Sequence, residues 1–224
     1  MPVPKTESEE RLQRLRITEI FYSLQGESLP VGCPTAFIRL TGCPLRCVYC
    51  DTEYAFHGGR QMAVGEILEQ ISAFSCQYVC VTGGEPLAQR NCLVLLTALC
   101  DLDYKVSLET SGALDIGAVD RRVSIVMDLK TPASGESGKN RWENLELLKP
   151  DDQLKFVIAD RADYDWARSV INERELVDRL PVLISPAWGR GIERALAEWI
   201  LADQLRVRFQ IQLHKVLWGE TPGH

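Results

Sequence analysis

Short apolar runs, several of them rich in β-branched residues, recur along the chain and predict β-strands. Runs of this length that are apolar almost throughout are typical of strands buried on both faces of a parallel sheet. The predicted strands are Thr35–Leu40, Tyr78–Thr82, Lys105–Glu109, Ser124–Asp128, Gln153–Ile158, Pro181–Ile184 and Arg206–Leu213.

Between these strands, apolar side chains recur three or four residues apart and indicate amphipathic helices. Because strands and helices alternate, the sequence predicts an α/β fold of βα units, arranged as a parallel sheet or an incomplete barrel. The helical stripes are Val64, Ile67, Leu68 and Ile71, then Cys92, Leu95, Leu96 and Leu99, and then Ile192, Leu196, Trp199 and Ile200.

Polar residues and glycines follow three consecutive predicted strands, at the point where each strand ends. In parallel α/β folds, ligands bind at the carboxyl ends of the strands, so these segments predict a pocket there. The Gly/Ser-rich stretch 132–140 follows the last of them and is expected to be either a mobile lid or a loose connection. The strand-end segments are Thr82–Pro86, Glu109–Gly112 and Asp128–Thr131.

Composition and charge fit one globular domain. The chain has 224 residues and a formal net charge of −6, which argues against a general binder of nucleic acid or of anionic membranes. No apolar run is long enough to span a bilayer and the polar start is not a secretory signal, so a cytoplasmic location is expected. We expect a domain at 17–218, a flexible segment at 1–16 and a flexible tail at 219–224.

The strongest chemical signal is the triplet Cys43-x3-Cys47-x2-Cys50, on a loop that follows a predicted strand. Three thiolates so close together can bind one soft metal centre. A [4Fe–4S] cluster held by three cysteines leaves one iron open to a ligand, on which Tyr49 can pack. The alternatives are a zinc site completed by a distant residue, or buried thiols.

The chain has eight cysteines, and the five outside the triplet are expected to be structural. Cys92 and Cys100 share the apolar face of a predicted helix, and Cys80 lies within a predicted buried strand. We expect these three to be core thiols, and we expect no metal-binding role for Cys33 or Cys76.

Taken together, these motifs resemble the radical S-adenosylmethionine (SAM) superfamily and, more narrowly, the 7-carboxy-7-deazaguanine synthase family. The resemblance runs from about Ile17 to Trp218. It rests on the cysteine triplet and on the segments Phe21–Glu27, Arg39, Cys50–Thr52, Gly83–Pro86, Glu109–Gly112 and Gln212–Lys215.

The resemblance implies a radical SAM fold, an incomplete (β/α) barrel with a parallel sheet, in a homodimer. It implies a lyase that converts 6-carboxy-5,6,7,8-tetrahydropterin to 7-carboxy-7-deazaguanine with loss of ammonia, in queuosine and deazapurine biosynthesis. The implied cofactors are a [4Fe–4S] cluster, SAM and Mg²⁺, and the implied electron donor is a flavodoxin or a ferredoxin.

The resemblance also implies roles for individual residues. The cysteine triplet would hold the cluster, and Thr52 would contact Mg²⁺. The implied SAM-binding residues are Tyr49, Cys50, Asp51, Gly84, Glu85, Asp128, Leu129 and Lys130. The implied substrate-binding residues are Leu24, Gln25, Gly26, Arg39, Thr82, Glu109 and His214, the last of them on the final predicted strand.

Each of these polar residues has a structural alternative. Arg39 could form a structural ion pair, and Glu109 and Asp128 could cap helices. Thr82 could be a turn hydroxyl, and His214 a core histidine. Their joint placement at strand ends favours function.

Two other functions share the cysteine triplet. The first is an activase that makes a glycyl radical on a partner protein, which would need an open groove for a peptide loop. The second is a zinc-stabilised binding module without catalysis, which would be colourless and contain zinc.

Overall fold

The computed structural model describes residues 13–221 and 223, which fold around one nine-stranded sheet. Its strand order is β3-β1-β2-β4-β5-β6-β7-β8-β9. The first strand is antiparallel to the second and third, and all other neighbours are parallel. The strands are β1 Arg14–Leu24, β2 Pro34–Leu40, β3 Arg60–Ala63, β4 Tyr78–Gly83, β5 Lys105–Thr110, β6 Ser124–Asp128, β7 Gln153–Ile158, β8 Val182–Pro186 and β9 Arg208–Phe209.

Helices cover the sheet because their apolar stripes face it. In the helix Cys92–Asp101, the side chains of Leu95, Leu96 and Leu99 are fully buried. The equally buried Phe156 of β7 belongs to the same core. The helix α3 begins at Arg161, where the Asp160 side chain accepts a hydrogen bond from Asp163 N. The helices are α1 Val64–Ser72, α2 Cys92–Asp101, α3 Arg161–Glu173, α4 Glu193–Ala202 and α5 Leu213–Trp218.

The sheet confirms the predicted fold class, since it is mostly parallel and its end strands β3 and β9 do not pair with each other. An incomplete barrel of this kind leaves the carboxyl ends of the parallel strands facing one cavity. The strands β3 and β1 extend the sheet beyond β2, and β1 runs antiparallel to both of its neighbours.

Some elements differ from the predictions. Residues 14–16, assigned to a flexible segment, lie in β1, while residues 1–12 are outside the described chain. In β1 the buried Leu15 and Ile17 alternate with polar residues, which is typical of an antiparallel strand with one solvated face. The predicted strand Arg206–Leu213 is wrong beyond Arg208–Phe209, because the chain then turns into α5. The strands β1 and β3 and the helices α3 and α5 were not predicted.

Within the described residues, no helix has the length and the apolar character needed to cross a membrane. The predicted tail is described only at 219–221 and 223; residues 222 and 224 lie outside the described chain.

Candidate functional site

A cavity of about 850 Å³ opens where the parallel strands end. Its walls come from the carboxyl ends of the strands, the loop after β2, the loop after β8 and the helix α5. It brings together all the predicted site residues except Glu85 and Leu129: Leu24, Gln25, Gly26, Arg39, Cys43, Cys47, Tyr49, Cys50, Asp51, Thr52, Thr82, Gly84, Glu109, Asp128, Lys130 and His214.

The three cysteines of the triplet line one part of this cavity as free, partly buried thiols. Burial raises the pKa of all three thiols, and the ammonium of Lys130 opposes that rise. Among residues 13–221 and 223, no three His, Cys, Asp or Glu side chains converge on a single-ion position. An iron–sulfur cluster does not require such convergence, because each thiolate binds a different iron.

The remaining cysteines lie away from the cavity. Cys80, Cys92 and Cys100 are buried free thiols, as predicted for core residues. Cys33 and Cys76 are partly buried free thiols that do not line the cavity.

The turn after β4 supports the cluster loop through its backbone. Glu85 N donates to Gly42 O at 2.8 Å, and Gly84 N donates to Leu40 O at 3.2 Å. A Cβ on Gly84 would overlap Gly42 O and would lie 2.8 Å from Cys43 Cβ. Gly84 therefore also serves to let the first cysteine of the loop sit directly on this turn.

Glu85 does not line the cavity, so the structure does not bring its side chain together with the other predicted SAM-binding residues. The side chain is fully buried. Its carboxylate accepts hydrogen bonds from Leu87 N, from the hydroxyl of Thr110, and from both the amide and the hydroxyl of Ser111. Glu85 thus joins the ends of β4 and β5 below the cavity floor.

Leu129 does not line the cavity either, because its side chain is fully buried in the core. Its neighbours Asp128 and Lys130 face the cavity instead, and they form an ion pair with Oδ2 and Nζ 2.9 Å apart. Burial alone would lower the pKa of Lys130. The nearby Asp128 and Cys47 outweigh that effect and raise the pKa, so the ammonium stays charged. It provides a fixed positive charge close to the cluster loop.

Tyr49 lies between the cluster loop and the strand ends. Its hydroxyl shares a hydrogen bond with Thr131 Oγ1 at 3.1 Å and donates to Val157 O at 3.3 Å. Burial raises the pKa of Tyr49, so the phenol remains protonated at neutral pH. The ring is thereby held as one wall of the cavity.

Arg39 lines the cavity and also forms the ion pair that was its structural alternative. Its Nε donates to Glu19 Oε1 at 2.7 Å, and its guanidinium lies over the rings of Phe21 and Tyr54 at 5.9 and 5.7 Å. Because the ion pair with Glu19 is made through Nε, the planar group is held rigidly while its terminal nitrogens can face a carboxylate.

Glu109 lies beside an ion pair that sequence reasoning missed. Thr82 Oγ1 donates to Glu109 Oε2 at 2.9 Å. Nearby, Lys155 Nζ lies 2.5 Å from Glu27 Oε2, and both residues line the cavity. The signal for Lys155 was available, since it is the one charged residue in the apolar strand Gln153–Ile158.

A Glu109→Gln variant should be more stable than the wild type at pH 7. Burial and the nearby Glu27 raise the pKa of Glu109, so its ionised form opposes folding. This penalty should disappear as the pH falls through the raised folded-state pKa toward 4.5, the ordinary value of the carboxyl. Urea unfolding of the two proteins between pH 4 and pH 8 measures it, and a constant difference in stability would contradict it.

Two buried polar atoms at the cavity have no hydrogen-bond partner among the residues that the structure describes. They are Asp128 Oδ1 and Ser185 Oγ, both on residues that line the cavity. Unpaired buried polar atoms are costly, so their concentration here is the property expected of a site for polar ligands. Ser185, which is 2% exposed, was not predicted.

His214 lies on α5 and not on a strand, which corrects its predicted position. Its ring packs directly on Gly26, where a Cβ would lie 2.8 Å from the ring Cγ. Burial lowers the pKa of His214 against the effects of Glu27 and Asp51, so the imidazole is neutral at pH 7. This places a neutral donor and acceptor over the cavity.

A Gly26→Ala variant should bind substrate more weakly while keeping its fold. The new methyl group would force the His214 ring away from the cavity wall, and we expect a rise in KM of roughly 10-fold. Steady-state kinetics of Gly26→Ala, His214→Ala and the double variant measure it. If the two single effects simply added in the double variant, Gly26 would not act through His214.

The segment after the cluster loop meets the last part of the chain. Asp51 Oδ1 accepts from Thr52 Oγ1 at 2.8 Å, and Asp51 Oδ2 accepts from Gln212 Nε2 at 3.0 Å. Desolvation at the cavity wall would raise the pKa of Asp51, but these two hydrogen bonds, with the charges of Lys155 and Lys215, lower it overall. The ionised carboxylate and the hydroxyl beside it are oxygen ligands of the type that Mg²⁺ prefers.

The tail also reaches the cavity, since Gly219, Glu220, Thr221 and Gly223 line it. The segment expected to be a flexible tail therefore contributes to the cavity wall.

Comparison with known proteins assigns the chain to a family. Residues 37–132 match the Radical SAM superfamily. The 7-carboxy-7-deazaguanine synthase of Chlorobaculum tepidum is 46% identical over 92% of this chain and 94% of its own length. That of Koribacter versatilis is 45% identical over 93% of this chain and 100% of its own. The chain belongs to the 7-carboxy-7-deazaguanine synthase family.

The fold comparison agrees with this assignment. The crystal structure of QueE from Escherichia coli superimposes with a TM-score of 0.76 at 21% identity, over 94% of this chain and 100% of that one. Its identity is low enough that it supports the fold alone. The family resemblance read from the sequence motifs is thus confirmed by whole-chain identity, while the roles of individual residues stay predictions.

Proposed function

We propose that this chain converts 6-carboxy-5,6,7,8-tetrahydropterin to 7-carboxy-7-deazaguanine, with loss of ammonia, in queuosine and deazapurine biosynthesis. It is a radical SAM enzyme and a lyase, as its family membership indicates. The observation that carries the proposal is the single cavity that joins the cysteine triplet to Arg39, Glu109 and His214 in a chain of this family.

The residues present fit a [4Fe–4S] cluster and SAM, the cofactors of this superfamily. Cys43, Cys47 and Cys50 would hold the cluster, whose free iron would bind SAM. Together these groups supply reductive cleavage of a carbon–sulfur bond and hydrogen abstraction by the resulting carbon radical. The cavity of about 850 Å³ is in the size range of sites that enclose small organic ligands.

The protein's own contribution is binding and shielding. Gly84 leaves its backbone open at the cavity next to the cluster loop, and Tyr49 forms the adjoining wall. The ammonium of Lys130, held by Asp128, would balance the carboxylate of a bound SAM. Asp51 would contact the adenosine part.

On the substrate side, the terminal nitrogens of Arg39 would bind the pterin carboxylate as a planar fork. Glu109 would accept hydrogen bonds from the N–H groups of the guanine-like edge, and Thr82 holds that carboxylate in place. The neutral His214 would cover the ring system. The Leu24–Gly26 segment would add main-chain contacts.

The proposal includes four further properties: a metal contact, an electron donor, an oligomeric state and a location. Thr52 would contact Mg²⁺, with the remaining oxygen ligands from substrate and water. A flavodoxin or a ferredoxin would supply the electron, and the enzyme would act as a homodimer in the cytoplasm.

The test is an anaerobic assay. The protein is reconstituted with iron and sulfide and incubated with SAM, Mg²⁺, a reductant and 6-carboxytetrahydropterin, and the deazaguanine product is sought by mass. Product formation that is absent in Cys47→Ala is the expected result. Cleavage of SAM without loss of the pterin would overturn the substrate, and a colourless protein containing zinc would overturn the radical chemistry.

A further inference from the structure

The residues on either side of Cys47 each donate a backbone hydrogen bond to a loop that is distant in the sequence. Arg46 N donates to Glu136 Oε1 at 2.6 Å, and Val48 N donates to Ser134 O at 3.0 Å. These are the amides immediately before and after the cysteine. The loop that holds them belongs to 132–140, the stretch expected from sequence to be a mobile lid or a loose connection.

This loop is anchored at its beginning by α3. Asp163, which is buried on that helix, accepts hydrogen bonds from Thr131 Oγ1 at 3.0 Å and from Ala133 N at 2.9 Å. Thr131 Oγ1 also lies within hydrogen-bond distance of Val157 O, at the end of β7. The start of the loop is therefore fixed to two core elements.

The loop is closed at its other end by Asn140. Its Oδ1 accepts from Lys130 N at 2.9 Å, and its Nδ2 donates to Lys130 O at 2.8 Å. The chain thus returns to the residue from which the loop departs. Because the loop is fixed at both ends, it can restrict the motion of the cluster loop, which it contacts at Arg46 and Val48.

The contact between Glu136 and the cluster loop is made to the backbone of Arg46 and leaves its guanidinium free to act elsewhere. That guanidinium donates to Cys43 O at 2.8 Å and to Leu45 O at 2.6 Å, and it lies 4.3 Å from the Phe56 ring centre. The side chain of Arg46 therefore makes its hydrogen bonds within the cluster loop. The Tyr49 hydroxyl ties the later part of the loop to Thr131 and Val157, and the Glu136 and Ser134 contacts hold the two residues on either side of Cys47.

We propose that Glu136 is a positioning residue for the iron–sulfur cluster, which fixes the Cys47 thiol by accepting the hydrogen bond of the preceding amide. The proposal rests on the proposed function in that the triplet holds a cluster. Groups that orient a metal ligand without touching the metal commonly affect metal affinity by 10-fold or more.

The first test uses the protein without its cluster, so that it does not depend on activity. Iodoacetamide labelling, followed by mass spectrometry, gives the alkylation rate of each cysteine in the folded apo protein. Glu136→Ala should raise the rate of Cys47 relative to Cys50 by roughly threefold or more, because the loop opens locally at that residue. Glu136→Gln keeps the acceptor oxygen and should behave as the wild type. Glu143→Ala removes an exposed glutamate nearby and is the matched control.

The second test measures retention of the cluster. After reconstitution, Glu136→Ala should lose iron to a chelator roughly 10-fold faster than the wild type, Glu136→Gln and Glu143→Ala. Should Glu136→Ala fail to fold, Glu136→Asp provides the same comparison with the acceptor withdrawn by one methylene.

The proposal would be overturned if Glu136→Ala had the same ratio of Cys47 to Cys50 alkylation rates as the wild type, or if it lost iron at the wild-type rate. A general rise in labelling of all cysteines with lower thermal stability would also overturn it, since the role would then be structural. The wild-type protein tests the proposed function separately: a wild type that holds a cluster but leaves the pterin unchanged overturns the substrate and not the role of Glu136.

Discussion

A Gly84→Ala variant should lose most of its cluster and its activity should fall by roughly 100-fold or more. The added Cβ would overlap the carbonyl oxygen of Gly42 and lie 2.8 Å from the Cβ of Cys43, both in the cluster loop. These are backbone and ligand atoms, which cannot rotate away as the end of a flexible side chain could. The loop would have to move, and with it the first cluster ligand.

The effect expected at Gly84 is one of space alone. Its φ angle is outside the left-handed region, so alanine can adopt the same backbone conformation. Gly65→Ala is the matched control, because nothing lies within 4 Å of a Cβ at that position in α1. That change should preserve the cluster and slightly favour the helix.

Iron and sulfide content after anaerobic reconstitution, visible absorbance and product formation measure the result for both glycine variants. Circular dichroism of the apo proteins shows whether the fold is intact. A Gly84→Ala enzyme that carries a full cluster and turns over normally would show that the loop does not rest on this turn as described.

The position of the site was predictable because the parallel strands impose it. Residues at the ends of adjacent parallel strands must meet, and the glycine turn, the Glu109 segment and the Asp128 segment do so in one cavity. The spacing of Cys43, Cys47 and Cys50 alone predicted that the three cysteines face one site, and all three line the cavity. The hydrophobic pattern also located most of the parallel strands to within one or two residues.

Glu85 and Leu129, the two predicted site residues that do not line the cavity, show the limit of a motif as a guide to contacts. In an extended chain, successive side chains point to opposite sides. Asp128 and Lys130 face the cavity, and Leu129 between them therefore faces the core. Likewise Glu85 points below the turn whose backbone at Gly84 borders the cavity. A motif identifies a segment, whereas the local backbone direction decides which of its side chains meet a ligand.

Other parts of the site depend on distant contacts that no local pattern reveals. Glu27 and Lys155 are 128 residues apart, and only the folded sheet pairs them. The helix α5 is six residues long, too short for a clear helical stripe, so His214 was assigned to a strand. The anchoring of the 132–140 loop similarly requires Asp163, from a helix that was not predicted.

Replacing Lys155 with methionine should lower the free energy of unfolding by about 3–5 kcal/mol at pH 7. Lys155 and Glu27 have side chains that are only 12% and 10% exposed, and they lie 2.5 Å apart. Burial lowers the pKa of Lys155, but Glu27, Asp128 and Glu109 outweigh it and raise the pKa, so the ammonium is charged. Its removal would leave carboxylates in the cavity wall without a balancing charge.

Urea unfolding of the apo protein measures this change without a contribution from the cluster. The matched control is Arg194→Ala, which breaks the exposed pair between Arg194 and Glu198 in α4 and should change stability little. The penalty of Lys155→Met should also shrink at pH 4 to 5, where the carboxylates left unpaired become protonated at little cost.

The double variant Glu27→Gln/Lys155→Met decides whether the penalty arises from the unpaired charge or from lost packing. If the unpaired carboxylate is the cause, removing both charges should recover a large part of the stability that Lys155→Met loses. It should not recover activity, since both side chains line the cavity. A double variant as unstable as Lys155→Met, with no dependence on pH, would assign the loss to packing of the lysine stem and would remove the electrostatic role of the pair.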